Sequence, residues 1–252
     1  MDKQAGSAAR RTFGAATRAF DWRHVAASVV LLSLLASCAR PVQAPARSPD
    51  VVAPAAVDTR GAHVYTVDAA ASHVHILVYR GGALARLGHN HVATSRDVHG
   101  RVWVHPTFER SGFELMLPVE SLIVDDPRDR AAHGTDFPPG ISQKDIEGTK
   151  RNMLRAEVLD AEQFPTILLR AARVSGSVES PVVTARITLK GVTRDVHLPV
   201  ELAVDGGHLT AAGVLDILQT DFGIKPFSVA LGALEVQDRL HLEFEIVART
   251  ES

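Results

Sequence analysis

The chain has one cysteine, Cys38, among 252 residues, so no internal disulfide can staple its fold. Aromatic side chains make up only 5% of it, and any sizeable core must therefore be aliphatic. No apolar run approaches the ~20 residues that a membrane-spanning helix needs. Charge of one sign is not concentrated either. Residues 1–37 hold five basic and two acidic side chains, leaving 22 basic against 27 acidic in the remainder, a net charge of about −5. A moderately acidic domain without a basic run excludes nucleic acid as a partner. No G-x-S-x-G elbow and no H-E-x-x-H pair is present. These are the sequence marks of serine hydrolases and zinc proteases, and the chain is expected not to be an enzyme.

What the N-terminus does contain is an export signal. Residues 25–36 form an uncharged stretch of twelve, preceded by Lys3, Arg10, Arg11, Arg18 and Arg23. That length and those flanks suit the hydrophobic region of a signal peptide. Leu35-Ala36-Ser37-Cys38 resembles the bacterial lipobox, in which the thiol is acylated and the chain is cut just before it. Residues 1–37 are accordingly expected to be a lipoprotein signal peptide, with Cys38 as the lipid attachment to the membrane. Arg10-Arg11-Thr12-Phe13 resembles a twin-arginine signal, and the export route stays open. Ala39 stands where an Asp would favour inner-membrane retention, so the expected address is the periplasmic face of an outer membrane where the cell has one.

Residues 38–62 are rich in Pro and Ala and show no periodicity, the composition of an extended tether. From His63 the dominant signal is alternation. In the last segment Val236, Asp238, Leu240, Leu242, Phe244, Ile246 and Ala248 share one face, and Gln237, Arg239, His241, Glu243 and Glu245 the other. Shorter runs repeat the pattern, separated by Gly81-Gly82, Gly176, Gly191 and Asp205-Gly206-Gly207. Ser142-Gln143-Lys144-Asp145 resembles a capping box and predicts one short helix to about Arg155, after a long loop from Asp125 to Ile141. About eight strands joined mostly by hairpins predict an all-β antiparallel barrel or sandwich.

Four groups of residues then carry a family resemblance. They are Tyr65-Thr66-Val67-Asp68 with Ser72-His73-Val74, and Arg151-Asn152-Met153-Leu154 followed by Phe164-Pro165-Thr166-Ile167. The third is Leu189-Lys190-Gly191-Val192-Thr193-Arg194 with Leu198-Pro199-Val200, and the fourth is Thr220-Asp221-Phe222-Gly223-Ile224. In their order and spacing, residues 63–249 resemble the YceI-like family of bacterial polyisoprenoid-binding proteins. Gln219 stands where many members carry Arg, and Gly88-His89-Asn90-His91 looks like a feature of one branch. The resemblance implies an extended lipocalin-like antiparallel barrel with one short helix beside it. It also implies a long isoprenoid, as a quinone tail or polyprenyl chain, in the interior. No other cofactor is expected, and pairing of two copies is left open.

The lipid-binding residues that follow from the alternation and the resemblance are Val74, Ile76 and Val78; Phe113, Leu115 and Leu117; Ile167 and Leu169; Ile187 and Leu189; Ala211, Gly213 and Leu215; and Phe222. An eight-strand barrel is just wide enough for one slim ligand unless its own side chains fill it, and the same residues would also make a collapsed core. Twelve histidines are the other resource, seven of them between His63 and His105. His73 and His75 alternate with Val74 and Ile76 and are expected to face solvent. His89 and His91 follow a glycine turn, where metal or headgroup contact is plausible, and a histidine-based metal protein of the envelope is the alternative function.

The anchor reading is checked by Cys38→Ala, which should abolish incorporation of labelled palmitate and leave the chain uncleaved or soluble. Palmitate still entering the variant would refute it.

Overall fold

The structure is a computed structural model that describes residues 58–250; the signal peptide, Cys38 and the tether up to residue 57 lie outside the described residues. In chain order the strands are β1 (His63–Val67), β2 (His73–Gly81), β3 (His91–Ser95), β4 (His99–Val104), β5 (Gly112–Pro118) and β6 (Ile123–Val124). Two helices follow, α1 (Pro127–Ala132) and α2 (Gln143–Leu154). The remaining strands are β7 (Thr166–Gly176), β8 (Pro181–Leu189), β9 (Val192–Leu198), β10 (Glu201–Asp205), β11 (His208–Leu218), β12 (Ser228–Val229) and β13 (Leu234–Arg249).

The sixteen residues of β13 organise the sheet. Along one edge β13 pairs with β11, from Leu218 opposite Arg239 to His208 opposite Arg249. Along its other edge it pairs with β2 and then, near its end, with β1. From β1 the antiparallel path runs through β4, β5, β7 and β8 to β9, and from β2 through β3 to β6, while β10 pairs only with β11.

The all-β class agrees with the alternation, but the expected eight-strand barrel does not. The sheet has thirteen strands, and its hydrogen-bonded path does not close, because β9 meets β11 without pairing to it. The run Val196, Leu198, Val200, Leu202 breaks at Pro199-Val200 into two strands. Both β3 and β4 are short and carry polar residues, which hides them from a period-2 reading. The segment before α2 is not a plain loop: Pro127 opens α1, and the Asp126 carboxylate caps it by accepting from the Arg128 N–H at 2.9 Å. The capping box is present, with Ser142 Oγ accepting from the Asp145 N–H at 3.2 Å. Ile146 and Leu154 of α2 are only half-buried.

Turn chemistry sets the register. Leu189 pairs with Val192 across Lys190-Gly191, and Asp205 with His208 across Gly206-Gly207. Both central residues of each loop have positive φ, 49° and 73° in the first and 52° and 89° in the second. This is the two-residue geometry whose twist matches the flanking strands.

The segment from Asp125 to Pro138 lies over the outer face of β2 and β3. Leu77, Val92 and Phe137 are buried there together, and Tyr79 meets the Phe137 ring edge-on at 5.4 Å. This part of the sheet is therefore covered on both faces, which explains the unbroken apolar run Ile76-Leu77-Val78-Tyr79.

Gly213 has a packing reason of its own. A Cβ there would lie 2.2 Å from the Pro199 carbonyl oxygen and 2.8 Å from the Phe244 ring, its cross-strand partner. Gly213→Ala should therefore destabilise the protein by ~1–3 kcal/mol, read as a lower denaturation midpoint. An unchanged midpoint would mean that the β9–β10 corner moves freely.

Candidate functional site

The rolled sheet encloses a cavity of about 350 Å³. Its wall follows β11 from Ala211 to Ile217, six residue steps or about 20 Å at the rise of an antiparallel strand. Aliphatic side chains from β2, β5, β7, β8, β11 and β13 supply most of the surface. The structure places Val74, Ile76, Val78, Phe113, Leu115, Leu117, Ile167, Leu169, Ile187, Leu189, Ala211 and Leu215 on that wall.

Two expected residues are not on it. Gly213 is covered by Phe244 and the Pro199 carbonyl, as the close distances require. Phe222 sits in a short 3₁₀ turn and is 1% exposed, packed in one core cluster with the wall residues Leu215, Ile217 and Ile224 without lining the cavity itself. Asp238 is not inward either. An irregularity of pairing between Val236 and Leu240 turns it to accept from the Thr220 N–H at 2.9 Å and from the Thr220 hydroxyl at 2.6 Å. The wall also includes residues that the alternation did not single out. Ala93, Val98 and Val102 come from β3, β4 and the turn between them, Trp103 from β4, and Thr149, Asn152 and Met153 from α2. An α-helix leaves no period-2 signature, so α2 was legible as a helix with Met153 inward but Thr149 and Asn152 were not read as wall.

Three of the polar wall residues are already satisfied. Trp103 Nε1 donates to the Arg110 carbonyl at 3.0 Å, and Gln219 Nε2 donates to the Gln237 carbonyl at 2.8 Å. Ser111 Oγ accepts from the His105 N–H at 2.9 Å. His91 differs. Its Nδ1 lies 2.6 Å from Asp125 Oδ2, its side chain is 18% exposed, and the residue lines the cavity.

Behind His91 lies a buried ionic network that the sequence reading missed. Asp125 turns the chain out of β6 with φ of 55°, and its Oδ1 accepts from the Val92 N–H at 3.0 Å and from Arg130 Nη1 at 2.5 Å. Arg130, itself 2% exposed, also donates to the carbonyls of Asn90 at 2.8 Å and Pro138 at 2.7 Å. Burial works against ionisation of Asp125, but the donors from His91, Val92 and Arg130 outweigh it and hold its pKa below the usual carboxylate range. Asn90 ties the same segment down, with its Nδ2 donating to the Asp136 carbonyl at 2.9 Å. The only hint in the sequence was Asp125, Asp129 and Arg130 together in a long connection.

His89 and His91 do not share a strand. β3 begins at His91, so His89 is in the preceding loop, exposed, with its ring centroid 6.4 Å from that of His91. His91 Nδ1 is engaged by Asp125, and among the described residues no three His, Cys, Asp or Glu side chains are grouped to hold a metal ion. His73 and His75 do not simply face solvent either. The His75 ring is packed between His73 at 4.7 Å and His133 at 4.9 Å, and its Nδ1 lies 3.1 Å from Thr94 Oγ1. The α1 segment covers this outer face, which the alternation alone leaves bare.

An open antiparallel sheet rolled around an aliphatic interior defines a lipocalin-like fold. The chain belongs to the YceI-like family, whose domain matches residues 65–248. Among solved structures it is similar to Burkholderia cenocepacia BcnA, at 18% identity and a TM-score of 0.53, covering 72% of this chain and 99% of that one. It is also similar to the Campylobacter jejuni YceI protein, at 14% identity and a TM-score of 0.44, covering 62% of this chain and 82% of that one. No curated protein matches it.

The outer histidine cluster generates a pH prediction. Burial, followed by the neighbouring His73, pushes the His75 pKa down from its ordinary value, so the fold favours the neutral ring. A depressed pKa contributes stability that is fully present above the unfolded-state value and is lost as pH falls through the folded one. The melting temperature should therefore drop between about pH 7 and pH 5, and His75→Phe, which keeps a ring in the stack, should reduce that slope. Equal slopes in the two proteins would exclude His75 as a source.

Proposed function

We propose that this protein is an envelope lipoprotein that holds the chain of a long isoprenoid, a quinone tail or polyprenyl lipid, as a carrier or sequestering protein. The observation that carries this reading is the aliphatic interior of about 350 Å³, within the ~300–1,000 Å³ typical of ligand sites. A linear prenyl chain matches its length and its mostly aliphatic wall. Burying roughly 300 Å² of such a chain gains ~7 kcal/mol before the cost of association. Cys38 would keep the carrier at the membrane from which its ligand comes. The family resemblance points to the same ligand class, and the site offers binding chemistry rather than a catalytic set.

The test uses organic extraction and mass spectrometry of the purified protein. Wild type should release an apolar prenyl lipid, and added ubiquinone should raise its melting temperature. Ala211→Phe, which places a ring in the cavity, should release none and lose the thermal shift. Empty extracts from wild type together with no response to ubiquinone would overturn the proposal.

A further inference from the structure

His91 is a wall residue with one ring nitrogen held by a buried carboxylate and the other without a partner among the described residues. On the Nδ1 side, Asp125 already accepts from Arg130 and from the Val92 N–H, and its carboxylate has no proton to give. The Nδ1–Asp125 hydrogen bond at 2.6 Å must therefore use a proton on Nδ1. In the neutral imidazole this leaves Nε2 as a lone-pair acceptor. Among the described residues Nε2 has no hydrogen-bond partner, and the ring is neither fully buried nor open to bulk solvent.

Position adds to this. His91 is the first residue of β3 and lies opposite Val78, which in turn pairs with Leu240, so aliphatic wall begins directly beside it. Ala93 continues the same inward face. Thr149 and Asn152 of α2, which packs beside β6, are the other wall side chains without a hydrogen bond to a described residue. A slim apolar ligand thus meets one fixed, oriented acceptor as it leaves the aliphatic zone.

We infer that His91 is a headgroup-recognition residue whose Nε2 accepts a hydrogen bond from a hydroxyl at the end of the bound prenyl chain, such as that of a prenyl alcohol or a quinol. Asp125 and Arg130 act as positioning residues that fix the ring and its tautomer. The inference rests on the carrier reading and adds to it a preference among isoprenoids, for those that donate over those that only accept.

The test compares geranylgeraniol with its methyl ether, which keeps the chain and the oxygen but cannot donate. Binding is measured on the purified protein by displacement of a fluorescent prenyl probe. Wild type should bind the alcohol about three- to tenfold more tightly, the value of one net hydrogen bond. His91→Phe should bind both ligands alike, with the ether close to its wild-type affinity. Because the wild-type comparison needs no variant, the inference stays testable if His91→Phe does not fold. A ¹⁵N spectrum of the wild-type imidazole should likewise show Nε2 as the unprotonated nitrogen and shift on addition of the alcohol. Equal binding of alcohol and ether by wild type would overturn the role of His91 and leave the carrier reading standing. Binding of neither would overturn both.

Discussion

One buried carboxylate, Asp125, joins the edge of β3, helix α1 and the cavity wall at a single point. Removing such a charge from water costs several kcal/mol, and the cost is offset only when its lone pairs are filled by good donors. Here they are filled from three directions: the N–H of Val92 in β3, the guanidinium of Arg130 in α1, and the ring of His91 on the cavity wall. The edge of β3, the docking of α1 and the orientation of a cavity side chain are thereby made mutually dependent. The left-handed backbone at Asp125 is tolerated for the same reason, since it lets the carboxylate fold back onto β3, the neighbour of the strand it has just left. The residue is best regarded as the junction between the cover and the interior.

Around that junction the fold uses two kinds of burial. The inner face is aliphatic and incompletely filled; the outer face is open to water over most of the sheet but sealed over β2 and β3 by the Asp125–Pro138 segment. The seal combines an apolar contact, Leu77 and Val92 under Phe137, with polar ones through Thr94, whose hydroxyl donates to Asp129 Oδ2 at 2.7 Å. Arg96 reaches the same carboxylate from β3's far end. The part of the wall that carries His91 is thus the part packed on both faces.

How much of this could be read from the sequence follows from the range of each signal. Period-2 alternation reports which residues share a face, and it placed Val74, Leu115, Ile187 and Leu215 together correctly, because the inner surface of a rolled sheet is continuous. It gave no warning that Gly213, on the same face, is covered by Phe244, since cross-strand contacts depend on register and not on spacing. Nor did it identify β3, whose five residues include Thr94 and Ser95 and look polar. The ionic network was illegible because Asn90, Asp125 and Arg130 are brought together only by tertiary packing. The capping box and the glycine turns, which are local, were legible almost residue by residue.

The unpaired meeting of β9 and β11 bears on what kind of container this is. In a barrel closed by hydrogen bonds, strand number and shear fix the girth, so the bore is a constant of the fold. Here the circuit is completed by side chains, and the ladder imposes no such constant. The free edge of β9 carries exposed Thr193, Arg194 and Asp195, with Arg194 Nη1 donating to the Thr193 carbonyl at 2.9 Å, and charges of this kind discourage a second chain from adding to it. A seam held by side chains rather than by a hydrogen-bonded ladder leaves the circumference, like that of a split ring, unfixed by strand count.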